Sequence, residues 1–212
     1  LTSVVVIFQP ELRKMLEQLG QKKIMTTFFP LDAGKEVKER FTDKTVNELV
    51  KACFDMGEVK TGALIVIEQN IRLNEYERTG INVDAVLTSQ LLINIFEHNT
   101  PLHDGAVLVR GNRIVAATCY LPLSDNMELS KQLGTRHRAG VGISEVSDSL
   151  TIIVSEETGQ VSVAENGKLS RGLTSAELRT ALVKAQNKKV INNSKLRHLL
   201  KGRMRREENK AD

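Results

Sequence analysis

Residues 99–120 read NTPLHDGAVLVRGNRIVAATCY and predict a β-hairpin around which the fold is organised. Residues 107–110 and 113–120 are mainly apolar, and the Gly111-Asn112 pair between them is typical of a tight turn. A polar loop precedes the hairpin, and residues 133–140, which read LGTRHRAG, predict the start of a helix further along the chain. We interpret the rest of the chain as a scaffold for these two loops.

Helical periodicity and capping signals recur along the chain. They predict helices that start at Pro10, Thr45, Ser89, Thr135 and Thr174. Capping boxes pair Thr45 with Glu48 in the second helix and Thr174 with Glu177 in the last, which is expected to run to about Gln186. Residues 21–41 are interpreted as a loop, and residues 69–87 as a polar connection.

Strands are predicted where apolar runs are short and continuous. Val4 to Phe8 is such a run, and residues 62–68 and 150–155 are typical of strands buried on both faces. Residues 160–165, with the Asn166-Gly167 turn after them, predict a second hairpin. Because two hairpins exclude a purely parallel sheet, we expect a single α/β domain with a central mixed β-sheet flanked by helices.

Composition limits the class of protein. The chain has 212 residues, of which 41% are hydrophobic and 26% charged, as in soluble globular domains. Cys53 and Cys119 lie in apolar runs and are predicted to be core residues, and no disulfide framework or zinc spacing occurs. Apolar runs of about 18 residues are missing, so no transmembrane helix is predicted within the chain. Since Leu1 is not methionine, we expect a fragment of a longer protein.

Positive charge is concentrated at the carboxyl end. Residues 184–206 contain nine lysines or arginines and no acidic residue, whereas residues 1–183 carry a net charge of −3. We therefore predict a globular domain over residues 1–185 and a basic, partly disordered tail over residues 186–212. Binding of anionic lipid or nucleic acid by the tail is the alternative.

Asp104 is the first candidate for chemistry. It precedes Gly105 and Ala106, where glycine lets the backbone approach a ligand and a strand begins. Its carboxylate could bind a divalent metal ion and accept a proton from a hydroxyl group, or the residues could form an ordinary Asp-Gly turn. The neighbouring His103 could join a metal site or be structural.

Two further segments carry groups suited to phosphates. Thr135 would cap a helix whose free N–H groups bind an anion, and Arg136 and Arg138 could each bind phosphate through two hydrogen bonds. At the end of a buried strand, Ser155 could bind a phosphate oxygen and Glu157 a metal ion. Solvated basic residues and a solvated turn are the respective alternatives. Tyr120 could stack on a base or lie in the core.

Taken together, three blocks resemble the diadenylate cyclase (DAC) family. They read NTPLHDGA at 99–106, LGTRHRAG at 133–140 and VSEETG at 154–159. Residues 62–65, GALI, also match, and residues 6–13, VIFQPELR, resemble the membrane-anchored CdaA class in particular. The resemblance covers roughly residues 1–185.

The resemblance implies an enzyme that joins two ATP molecules into cyclic di-AMP and releases two pyrophosphates. Two subunits would meet face to face as a homodimer, each holding one ATP and a divalent metal ion (Mn²⁺, Mg²⁺ or Co²⁺). The implied catalytic residues are Asp104, Gly105, Ala106, Arg136, His137 and Arg138. The implied ATP-binding residues are Leu64, Tyr120, Leu121, Gly134, Thr135, Ser155 and Glu156, and the implied metal ligands are Asp104, His103 and Glu157.

The same resemblance implies that the full-length protein lies on the cytoplasmic face of the cell membrane, with a membrane-linked regulator and phosphoglucosamine mutase as partners. No nucleic-acid partner is expected. Two other functions stay open at this point: a nucleotide-binding sensor without turnover, and a nucleic-acid-binding protein that uses the basic tail.

Overall fold

The computed structural model describes residues 39–127, 129–130 and 133–186. The strand predicted at Val4 to Phe8, the helix from Pro10 and most of the loop predicted after it lie outside the described residues. The basic tail from residue 187 onward lies outside them as well. Everything below concerns the described part of the chain.

A seven-stranded mixed sheet forms the centre of the domain, in the order β2-β4-β3-β1-β5-β6-β7. The strands are β1 (Ala63–Ile67), β2 (Ile81–Val86), β3 (Ala106–Arg110), β4 (Arg113–Cys119), β5 (Leu150–Val154), β6 (Val161–Glu165) and β7 (Lys168–Ser170). Only β1 and β3 pair in parallel; all other neighbours in the sheet are antiparallel. The predicted mixed sheet is therefore confirmed.

Within the described residues, five helices cover the two faces of the sheet. They are α1 (Asp43–Glu58), α2 (Asn74–Glu77), α3 (Ser89–Phe96), α4 (Thr135–Val146) and α5 (Ser175–Gln186). One core layer packs α1, α3 and α5 against side chains such as Ile65, Val107 and Ile152. The second layer packs α4 and the α2 region against the alternate side chains, such as Leu64, Leu108 and Ile153. Because both faces are covered, β1 and β5 are buried at every position, which explains their continuous apolar sequences.

The N-cap of the first described helix lies three residues earlier than predicted. It is Thr42, whose hydroxyl accepts from the N–H of Thr45. Thr45 lies inside the helix, and its own hydroxyl donates to Asn112 Oδ1 at 2.7 Å. Glu48 accepts from the N–H of Ser89 at 2.7 Å, a bond that lowers the pKa of Glu48. The capping box predicted at Thr45 was wrong, because the helix already includes Thr45 and the carboxylate of Glu48 binds a residue distant in sequence.

The polar connection predicted over residues 69–87 was also wrong, since it contains α2 and the edge strand β2. β2 has mostly exposed or half-buried residues and pairs with β4 across a register shift between Asn82 and Ala85. Asp84, within that irregular stretch, adopts a φ of 41°. An edge strand of this kind lacks the apolar signal on which the prediction depended.

The other predicted elements are confirmed within a residue or two. Both hairpins form, and the Thr174–Glu177 capping box is reciprocal, because each backbone N–H donates to the side chain of the other residue. Cys53 and Cys119 are buried, and burial raises the pKa of the Cys53 thiol to about 12. None of the described helices is long and apolar enough to cross a membrane.

Candidate functional site

The predicted site residues lie along the edge of the sheet that is formed by strand ends, where β1 and β3 begin and β4 and β5 end. Two open clefts follow this edge, and Thr135 and Arg136 line both of them, so the two are adjacent. The apolar cleft is lined by Leu64, Asp104, Gly105, Cys119, Tyr120, Leu121, Leu123, Thr135, Arg136 and Ala139. The polar cleft is lined by Leu133, Gly134, Thr135, Arg136, His137, Val154, Ser155, Glu156, Glu157, Thr158 and Arg171.

Asp104 is held at the mouth of the apolar cleft by the backbone of the hairpin. Gly105, next to it, has a φ of 104°, a conformation that favours glycine. A Cβ atom on Gly105 would lie 2.9 Å from the Cα atom of Thr118, so the loop packs directly on the end of β4. The Thr118 hydroxyl also donates to the carbonyl of Leu102 at 3.3 Å. These contacts fix the position of an exposed carboxylate.

Tyr120 follows β4 and forms part of the opposite wall. Its side chain is 70% exposed, which excludes the alternative of a core tyrosine. Its N–H donates to the hydroxyl of Thr79 at 2.9 Å, so the backbone at this position is anchored. The segment beyond it is fastened to α4, since the N–H of Ser124 donates to the carbonyl of Arg138 at 3.0 Å. The wall therefore offers an aromatic face beside Leu64, Leu121 and Leu123.

The polar cleft opens at the start of α4. Gly134 is the N-cap and Thr135 is the first helical residue, so the prediction that Thr135 caps the helix was wrong. No side chain caps this terminus, and a Cβ atom on Gly134 would meet nothing within 4 Å. The first N–H groups of a helix commonly lack a partner within it. Here the N–H groups of Thr135 and Arg136 lie too early in the helix to have one, whereas that of His137 donates to the carbonyl of Gly134 at 3.1 Å. This end of α4 is suited to an anionic group.

Across the polar cleft, residues 155–160 form a closed turn at the end of β5. The N–H of Gly159 donates to the carbonyl of Ser155 at 2.9 Å, and the N–H of Ser155 donates to the carbonyl of Gln160 at 3.0 Å. The hydroxyl oxygen of Ser155 accepts from the N–H of Thr158 at 3.2 Å, which leaves its proton available for a ligand. Ser155, Glu156 and Glu157 all line this cleft.

Arg136 and Glu156 form an ion pair that joins α4 to this turn. The pair lies against Gly62, just before β1. A Cβ atom on Gly62 would stand 2.8 Å from Arg136 Nη1 and 2.9 Å from Glu156 Oε2. Glycine is therefore required at residue 62 for the ion pair to keep its position.

Substitution of Gly62 by alanine should displace this pair without unfolding the protein. The clashing atoms are the ends of two flexible side chains, and alanine also lowers the entropy of the unfolded chain. We expect a change in melting temperature of only a few degrees, roughly what 0.5 kcal/mol produces. Affinity for a phosphate-bearing ligand should fall by about tenfold, the value of one charge-assisted hydrogen bond. Thermal unfolding and ligand titration would test this, and an unchanged affinity would contradict it.

His137 is 8% exposed and lines the polar cleft. Burial lowers the pKa of His137, the positive charge of Arg171 lowers it further, and Glu157 opposes the change. The imidazole is therefore neutral near pH 7 and can donate or accept a hydrogen bond. Arg171 also lines this cleft. Its presence could not be predicted from the sequence, because a single arginine after a short strand matches no motif.

Three predicted site residues line neither cleft: His103, Arg138 and Ala106, which is fully buried at the start of β3. His103 lies before Asp104, and its Nδ1 atom is 2.6 Å from the carbonyl oxygen of Thr100. Arg138 is half-buried on α4, and neither it nor His103 lines a cleft. Asp104 and Glu157 line different clefts, and among the described residues no group of three or more His, Cys, Asp or Glu side chains is placed to hold a metal ion.

Residues 50–169 match the protein family described as DAC, DisA bacterial checkpoint controller nucleotide-binding. Over 180 residues the chain is 53% identical to cyclic di-AMP synthase CdaA of Bacillus subtilis. The matched residues make up 85% of this chain and 64% of that protein. It is 48% identical over 182 residues to a diadenylate cyclase of Listeria monocytogenes, covering 86% of this chain and 64% of the relative. The chain thus spans less than two thirds of the length of these relatives.

Solved structures agree with the fold. The structure of a double mutant of DacA from Staphylococcus aureus has a TM-score of 0.67 and 48% sequence identity, over 68% of this chain and 96% of that one. A structure described as a hypothetical membrane spanning protein from Bacillus cereus has a TM-score of 0.60 and 37% identity, over 80% of each chain.

Proposed function

Since this chain belongs to the DAC family of DisA-type nucleotide-binding domains, we propose that it is the catalytic domain of a diadenylate cyclase. The proposed reaction condenses two ATP molecules into cyclic di-AMP with 3′,5′ linkages and releases two pyrophosphates. The observation that supports it best is that the two clefts are adjacent, with an exposed carboxylate lining one and an uncapped helix terminus beside the other.

The apolar cleft suits a nucleoside and the polar cleft suits a polyphosphate. In this proposal adenine lies against Tyr120 and Leu121, with Leu64 at the base of the cleft. The phosphates extend past Thr135 and Arg136, which line both clefts, towards Ser155 and the N-terminus of α4. Gly134 and Glu156 complete this binding region, the latter through its ion pair with Arg136.

The residues also fit a divalent metal ion. Asp104 is exposed, and in the described part of the chain its carboxylate has no hydrogen bond or ion pair. Mg²⁺ and Mn²⁺ commonly use one or two carboxylates together with substrate phosphates, so a single chain need not supply a complete set of ligands. We assign Asp104 as the primary ligand, with Glu157 and His103 as candidates. When bound, the ion would neutralise phosphate charge and acidify the attacking hydroxyl.

The chemistry requires positioning more than a protein nucleophile. The 3′ oxygen of one ATP forms a bond with the α-phosphorus of the other, the bond from that phosphorus to the β-phosphate oxygen breaks, and pyrophosphate leaves. The hydroxyl proton is transferred towards the carboxylate of Asp104. Gly105 and Ala106 place that carboxylate, Arg136 and Ser155 hold phosphate oxygens, and neutral His137 donates a hydrogen bond. Repeating the step in the opposite direction closes the ring.

The first experiment is incubation of the purified chain with ATP and Mg²⁺, Mn²⁺ or Co²⁺ in parallel. Mass spectrometry would detect the cyclic dinucleotide, and the metal that supports the reaction would be identified at once. Product in at least one reaction would support the proposal. Measurable binding of ATP without product under any of these conditions would instead indicate a nucleotide-binding sensor.

Dimer dependence gives a separate prediction. One chain supplies one pair of clefts, and two nucleotides must face each other, so a monomer should be inactive. Specific activity should therefore rise with enzyme concentration in the dilute range and level off once the dimer is saturated. A dilution series with mass determined by light scattering would test this. Constant specific activity at concentrations where only monomer is present would contradict the face-to-face arrangement.

Location and partners are part of the proposal as well. The similarity to a protein described as membrane spanning, together with residues 6–13, supports a full-length protein on the cytoplasmic face of the cell membrane. A membrane-linked regulator and phosphoglucosamine mutase are the proposed partners. Within the described residues, the side chain of Arg138 has no hydrogen bond or ion pair.

A further inference from the structure

We propose that Arg171 is a further substrate-binding residue that holds the β- and γ-phosphates of ATP, and pyrophosphate as it leaves. This inference depends on the proposed function and adds a residue that belongs to none of the three sequence blocks. It begins from the position of Arg171, which lines the polar cleft opposite Gly134 and Thr135 although it lies more than thirty residues away in sequence.

The backbone around Arg171 is held in place. Arg171 directly follows β7, which pairs with β6. Gly172 turns the chain with a φ of 65°, and the N–H of Leu173 then donates to the carbonyl of Val161 at 2.9 Å. The arginine is thus fixed between two points of the sheet, so its guanidinium group can be directed to one side of the cleft.

Charge in the polar cleft supports the same role. Of the other groups that could be cationic there, Arg136 is paired with Glu156, and His137 is buried with a lowered pKa. Within residues 39–127, 129–130 and 133–186, Arg171 has no ion pair or side-chain hydrogen bond. It is exposed, and its positive charge is close enough to affect His137.

A triphosphate that enters this cleft brings several negative charges. Glu157 also lines the cleft and would oppose them. The N-terminus of α4 contributes only about half an elementary charge. A guanidinium group that is not already neutralised can bind two phosphate oxygens at once. Arg171 therefore offers the positive charge that the β- and γ-phosphates need.

The test compares Arg171→Ala, Arg171→Lys and the control Lys168→Ala, which removes the same charge from an exposed position of the same hairpin. Calorimetry would measure binding of inorganic pyrophosphate and of AMP, and the cyclase assay would give KM for ATP. Arg171→Ala should lower the affinity for pyrophosphate and raise KM for ATP, each by about tenfold or more, the value of a charge-assisted hydrogen bond. The affinity of this variant for AMP should stay within about twofold of the wild-type value. The pyrophosphate affinity of Arg171→Lys should lie between those of Arg171→Ala and the wild type, because lysine keeps the charge but not the two-point geometry.

A second readout does not depend on turnover. Titration of the His137 imidazole by NMR, assigned with His137→Gln, should show a higher pKa in Arg171→Ala and no change in Lys168→Ala, because Arg171 acts on this group and Lys168 does not. Equal pyrophosphate affinity in Arg171→Ala and Lys168→Ala would overturn the assignment. Failure of the wild-type chain to make a cyclic dinucleotide would count against the proposed function, while pyrophosphate binding would still test Arg171.

Discussion

Asp104→Asn should abolish formation of the cyclic dinucleotide and leave the fold intact. Asparagine keeps the size of the side chain but removes the charge that binds a metal ion and accepts the hydroxyl proton. We expect turnover to fall by at least about 1,000-fold, on the order of 4 kcal/mol of transition-state stabilisation. Because Asp104 is exposed, the free energy of unfolding should change by no more than about 0.5 kcal/mol.

Asp125→Asn is the matched control, since Asp125 is an exposed aspartate on the loop after β4 that lines neither cleft. Product would be quantified by mass spectrometry, ATP binding by calorimetry and folding by thermal unfolding. Asp104→Asn should still bind ATP through the phosphate contacts of the polar cleft. Normal turnover in Asp104→Asn would remove the role that we assign to this carboxylate.

The second large effect concerns stability. Arg110→Ala should lower the free energy of unfolding by about 3 kcal/mol, because it breaks a buried ion pair and leaves one partner behind. The side chain of Glu68 is only 4% exposed. It accepts from Arg110 Nε at 2.7 Å and Nη2 at 2.9 Å, and also from Arg72 and the N–H of Leu73. Those two remaining donors keep the loss from being larger.

Arg113→Ala is the control for this change. Arg113 lies in the same hairpin and pairs with Asp84, but both side chains are largely exposed, so the loss should stay below about 1 kcal/mol. Urea unfolding at pH 7 would measure both variants. Arg110 lies at the end of β3 far from Asp104, so activity per folded molecule should persist in Arg110→Ala. Equal destabilisation by the two changes would refute the importance of burial.

The pH dependence of stability should follow Glu68. Burial raises the pKa of this carboxyl, but the hydrogen bonds from Arg110, Leu73 and Arg72 outweigh burial, and the pKa is lowered in the folded protein. A carboxyl with a lowered pKa stabilises the fold fully above its unfolded value of about 4.3, and the contribution is lost as the pH falls through the folded pKa. In Arg110→Ala this acid-dependent loss should be smaller.

Local signals in the sequence were sufficient for most of the fold. The Gly111-Asn112 and Asn166-Gly167 turns predicted both hairpins, and continuous apolar runs predicted β1 and β5, because these depend on neighbouring residues. The start of α1 was not predicted, since Thr42 caps the helix and Glu48, the predicted capping partner of Thr45, instead accepts from Ser89, which is distant in sequence. Strand β2 escaped detection because its half-exposed edge position leaves no apolar pattern.

In the candidate site too, residues within distinctive local segments were predicted, and a residue brought close by distant segments was not. Asp104 and the residues at the start of α4 were found because each stands in a distinctive local segment, and the structure places them along one edge of the sheet. Arg171 was missed because its proximity to His137 depends on the pairing of β5, β6 and β7 and on the packing of α4 against them. A single sequence contains no local pattern from which such proximity between distant segments can be predicted.

The position of β1 has a consequence for how the enzyme is assembled. β1 to β4 form one half of the sheet and β5 to β7 the other, and only the pairing of residues 63–67 with residues 150–154 joins the two halves. That pairing closes a long loop, the kind of contact that carries a high entropic cost. Asp104 belongs to the first half and Ser155 to the second, so the candidate nucleotide site is complete only when this pairing has formed.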